Sequence, residues 1–141
     1  MNRMKYIAIV ILLFGLVYVG FWSMAKTEDR RTRTYRMGDL TQEQFDRQFP
    51  VMKLACRFFG FDPFGKPAED RQITPAWFVH QGIVRHIWIG LSLFFLGGSL
   101  ITFGASRRLI TVLHYVCVVG FGGALFVAAA MHPIIVFWNG K

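Results

Sequence analysis

A chain of 141 residues is short enough to be one domain, and with 54% apolar residues and a mean hydropathy of +0.40 it is too greasy for an ordinary soluble one. A net charge of +8 would suit nucleic acid in a soluble protein. Here many of the Lys and Arg flank apolar runs, where such residues meet lipid headgroups and set topology, so nucleic acid is set aside as a partner.

Arg3 and Lys5 open the chain, and residues 6–25 then carry no charge, a length that crosses a bilayer as a helix. The basic start, the apolar stretch and Ser23-x-Ala25 before Lys26 also fit a cleavable signal peptide. A first transmembrane helix over 6–25 is the reading adopted.

Residues 26–74 form a polar loop. All eight acidic residues, and eleven of the sixteen Lys and Arg, lie between Lys26 and Arg85. Thr41 and Gln44 match a capping box, with Leu40 and Phe45 placed as a hydrophobic staple, so a helix is expected to start near Gln42. Pro50 disfavours helical geometry at Phe49 and breaks that helix. Beyond it Val51, Leu54, Ala55, Phe58 and Phe59 follow helical spacing, with Lys53 and Arg57 on another face. This second short helix suits the headgroup layer, or packs on a partner or on the spans. Pro63, Gly65 and Pro67 mark an irregular stretch after it.

Thr74-Pro75 is a capped helix start, opening a second membrane helix over 75–105. Ser106, Arg107 and Arg108 leave room only for a tight antiparallel turn into a third helix over 109–131. His132 and Pro133 interrupt the pattern, and 132–141 reads as an interfacial tail. The expected fold is therefore all-α, with three transmembrane helices and a long loop carrying one or two short amphipathic interfacial helices. Gly90, Gly97 and Gly104 recur every seven residues, and Gly120, Ala124 and Ala128 every four. These small-residue seams are expected to close the hairpin between the second and third helices.

Trp22, Trp77, Trp88 and Trp138 all fall toward the membrane face that holds the long loop, as interfacial anchors do. The excess of Lys and Arg on that face places the loop in the cytoplasm, although Arg107 and Arg108 in the opposite turn argue the other way. The expected setting is a multi-pass integral protein of a bacterial plasma (inner) membrane.

Polar groups inside spans are the first functional candidates, here His80, His86, His114 and His132. At 1.5 Å per residue, His86 and His114 differ in height by about 23 Å, too far to share one haem within the chain. His80, His86 and His132 fall toward one interface, where imidazoles could hold a metal or haem b, or line a quinone site, with His86 and His132 as ligands. Against this, boundary histidines are wet without any ligand. His114 stands level with Thr102, which can satisfy it by a hydrogen bond. Cys56 and Cys117 follow no metal or disulfide spacing. Arg30, Arg31, Arg33 and Arg36 form a basic cluster beyond the first helix, suited to anionic lipid.

No nucleophile elbow, phosphate-cradling glycine loop, HExxH or carboxylate pair within a span is present. The expected function is a non-catalytic accessory or structural subunit of a larger membrane complex, with other membrane subunits and lipids as partners and no enzyme activity. The alternative is a membrane anchor of an electron-transfer complex that binds haem or quinone through histidines.

Overall fold

The structure, a computed structural model, describes residues 3–32, 40–60 and 75–139, with side chains for 3–32, 40–60 and 80–131. Among these residues the chain is wholly helical: α1 Arg3–Thr32, α2 Gln42–Gln48, α3 Pro50–Phe58, α4 Pro75–Thr102 and α5 Arg108–Asn139. Three stretches, Arg3–Thr32, His80–Thr102 and Arg108–Met131, are long and apolar enough to cross a membrane.

α1 continues past the expected end at Ala25 to Thr32. Its 30 residues make about 45 Å of helix, longer than the roughly 30 Å that a span needs, so the helix and its apolar part need not share an end. α5 likewise runs through Pro133 to Asn139, so the expected interfacial tail is helical to that point. Proline is tolerated in such helices because freed backbone groups find other partners. The α4–α5 turn is three residues longer than expected on the α4 side: α4 ends at Thr102, and Gly104 takes φ +75°, a left-handed value that favours glycine.

α4 is the central helix. It packs antiparallel against α1 on one side and α5 on the other, while α1 and α5 do not touch among the described residues. On α1 the buried Ala8, Gly15, Trp22 and Asp29 repeat every seven residues, as do Ile83, Gly90 and Gly97 on α4. A seven-residue period keeps one seam in contact between two helices. A Cβ added at Gly97 would lie 2.7 Å from the Leu12 backbone N, and one at Gly15 would lie 2.6 Å from the Phe94 backbone N.

The expected closure of the α4–α5 hairpin along the Gly90/Gly97/Gly104 seam is thus corrected. Gly90 and Gly97 seat α1, because α1 supplies the matching heptad, and Gly104 is spent on the turn. The α5 half of the expectation holds: Gly120 faces the Phe95 ring, and Ala124 and Ala128 are buried.

α2 and α3 cap the end of the α1–α4 pair. Thr41 and Gln44 form the reciprocal capping box, with Thr41 Oγ1 accepting from Gln44 N at 3.3 Å and Gln44 Oε1 accepting from Thr41 N at 3.0 Å. α3 has Pro50 in its first turn and no capping side chain at Phe49. Glu28 of α1 fills that role, its Oε2 accepting from Met52 N at 2.7 Å, so a carboxylate sits at the positive end of the helix. The face of α3 turned inward is Met52, Ala55 and Cys56, with Phe59 half-buried. The single apolar face expected from Val51, Leu54, Ala55, Phe58 and Phe59 is divided: Ala55 is buried, while Leu54 and Phe58 stay exposed.

Candidate functional site

The polar and aromatic residues gather where α1, α3 and α4 meet, at the α2–α3 end of the bundle. Heptad spacing brings Tyr18 and Trp22 of α1 against His86 of α4. The Tyr18 hydroxyl lies 2.6 Å from His86 Nδ1, and the His86 ring stacks on Trp22 at 4.6 Å between centroids and 18° between planes. Phe58 and Phe59 close the surround, their centroids 5.2 Å and 5.6 Å from that of His86. The Trp22 indole Nε1 is buried there without a hydrogen-bond partner.

One turn and a half along, the second histidine is held differently. His80 Nδ1 donates to Asp29 Oδ2 at 2.9 Å, and the Asp29 carboxylate is almost wholly buried. A carboxylate accepts only, so this contact fixes the His80 proton on Nδ1. On the opposite face of α4, Arg85 Nε donates to the Ala128 carbonyl of α5 at 3.3 Å, which puts a guanidinium against the end of that helix pair.

His114 lies far from this cluster, as its depth required. Its Nδ1 donates to the Ser99 carbonyl at 3.1 Å, with Thr102 Oγ1 at 3.2 Å. The Thr102 hydroxyl itself donates to the Gly98 carbonyl at 2.8 Å. The Thr102–His114 contact expected from matched heights is present, and it ties α4 to α5 near their turn.

Of the residues singled out by sequence, His86 sits in the α1–α4 seam, while the side chain of His132 lies outside the described residues. Arg30 and Arg31 are exposed in the last turn of α1; Arg33 and Arg36 lie outside the described residues. Among the described residues no three His, Cys, Asp or Glu are grouped to hold a metal ion. Sequence reading passed over Tyr18, Glu28, Asp29 and Arg85. The signal for Asp29 was its place seven residues after Trp22 on the Ala8–Gly15–Trp22 seam.

Chemically, the arrangement ties helices together. Tyr18–His86 and Asp29–His80 join α1 to α4, Glu28 joins α1 to α3, and His114 and Arg85 join α4 to α5. In lipid such polar contacts hold helices that gain nothing from excluding water. No family model, no curated protein and no solved structure matches the chain.

Proposed function

We propose that this chain is a non-catalytic subunit of a larger membrane complex, crossing a bacterial plasma membrane three times and offering its outer helix faces to other subunits. One observation carries the reading. Gly15, Gly90, Gly97 and Gly120 are each pressed against a neighbouring helix, whereas Gly20, Gly122 and Gly123 have nothing within 4 Å. A glycine inside a span gives up side-chain packing in exchange for close approach of another helix. Gly122 and Gly123 lie between the exposed Val119 and Phe126 on α5, away from α4, so the helix that would use them belongs to another chain.

The test is native electrophoresis after mild detergent extraction. The chain is expected in an assembly well above its own 16.2 kDa, and Gly122→Leu with Gly123→Leu releases it while the isolated protein stays folded. Migration of the wild type as a free subunit sinks the proposal. The electron-transfer alternative, with haem b or quinone held at His86 and His132, makes a separate demand. A Soret band in the purified protein that disappears in His86→Ala would favour it over a purely structural role.

A further inference from the structure

The uncovered face of α3 stands at a particular height. Trp22 is 19 residues beyond Arg3 on α1, about 29 Å along the helix, close to the roughly 30 Å thickness of a hydrocarbon core. The Phe58 ring centroid is 5.4 Å from that of Trp22, so α3 sits at the boundary between acyl chains and headgroups. There Leu54 is 52% exposed, and Phe58, whose ring borders Trp22 and His86 on one side only, is 63% exposed. In water this would be an uncovered apolar edge. At this depth it has a natural solvent.

The charges beside it are unbalanced in one direction. All four acidic residues among the described ones are engaged within the protein: Glu28 on Met52 N, Asp29 on His80, Glu43 on Arg47 and Asp46 on Lys53. Arg57, exposed and next to Phe58, has no acidic partner among the described residues, and neither do Lys26 and Arg30 in the last turns of α1. An apolar edge bordered by cations that have no acidic partner among the described residues matches the inner edge of an anionic leaflet.

We propose that α3 is a lipid-docking helix: Leu54 and Phe58 enter the acyl layer of the leaflet on the α2–α3 side, and Arg57 contacts the phosphate of an anionic phospholipid. The inference rests on the membrane placement of the spans, and the experiment separates the two. Single cysteines at Leu54, Phe58 and, as a control in mid-span, Phe126 are introduced into a Cys56→Ala, Cys117→Ala background. Each is labelled with a fluorophore and reconstituted into phosphatidylglycerol–phosphatidylcholine vesicles containing doxyl-labelled lipid.

Labels at 54 and 58 are expected to be quenched most by a doxyl group near the headgroup, and the label at 126 by one deep in the chains. Quenching at 126 without quenching at 54 and 58 overturns the proposal and leaves the spans in place. No quenching anywhere overturns both. Photoactivatable phospholipid, crosslinked to the unsubstituted chain in native membranes, gives a readout that does not depend on the cysteine variants. The Leu54–Phe58 peptide is expected to carry lipid, and lipid recovered on the peptides of the spans but not on this one overturns the proposal. Arg57→Gln is expected to reduce the preference for anionic over zwitterionic photolipid about fivefold, the equivalent of the ~1 kcal/mol an interfacial Arg contributes; an unchanged preference removes Arg57 from the site and refutes the anionic part of the claim.

Discussion

Glycine is the residue whose meaning differs most with position in this protein. At Gly97 a new side chain would meet the Leu12 backbone, which cannot rotate away, and at Gly122 it would meet nothing. Gly97→Leu should therefore destabilise the purified protein by about 1–3 kcal/mol through overpacking, while Gly122→Leu leaves it unchanged. Thermal unfolding of both variants in one detergent checks this, and equal losses would show that α1 does not seat on the Gly90/Gly97 seam. The hydrogen bond at His114 is a smaller quantity. His114→Ala removes it, and interhelical polar contacts in membranes average a coupling energy of about 0.6 kcal/mol. A double-mutant cycle with Thr102→Val should return a coupling energy distinguishable from zero, because the two groups are in contact.

Between helices, the pairing of α4 with α5 offers a direct chemical check. A Cβ at Gly98 would stand 3.8 Å from the Cβ of Cys117, a separation typical of disulfides. Gly98→Cys should oxidise to an intrachain bond with the native Cys117, read as loss of both free thiols with no change in oligomeric mass. For α2, Thr41→Ala should cost about 1 kcal/mol of local stability by removing the capping oxygen, measured as faster amide exchange over 42–48. Much at this level was legible in sequence. The Thr41/Gln44 box and the Thr102–His114 contact each follow from a local rule about caps or helical rise, while the Thr74 cap expected before Pro75 lies outside the described residues. What escaped was everything that needed a second surface. The heptad of Gly90 and Gly97 is visible by itself, but its partner could be named only by noticing the same period in Ala8, Gly15 and Trp22. α3 carries apolar residues over more than half its circumference, so periodicity could not say whether Ala55 and Cys56 or Leu54 and Phe58 would turn inward. Lys26 to Arg31 looked like the end of a helix because the apolar run ends there, yet a helix and its membrane-crossing part need not share a boundary. The Glu28 cap on α3 joins residues 24 apart and has no sequence signature.

Across the molecule, contacts are arranged in a line, α1 to α4 to α5, with α3 resting on the first pair and α2 on α3. Cysteine pairs placed across α1 and α4 should crosslink in the isolated chain, and pairs across α1 and α5 should not; an α1–α5 crosslink that joins two chains in an assembly would set α1 of one copy against α5 of another. The linear order also bears on synthesis. α1, α3 and α4 all precede α5 in the chain, and the histidine and carboxylate contacts of that end use no residue of the last span. Domains tend to complete in the order they are made. A chain truncated after Thr102 and released from the ribosome should already resist protease at the Trp22–His86 junction, which makes α5 an addition to a finished neighbour, its outward side still open.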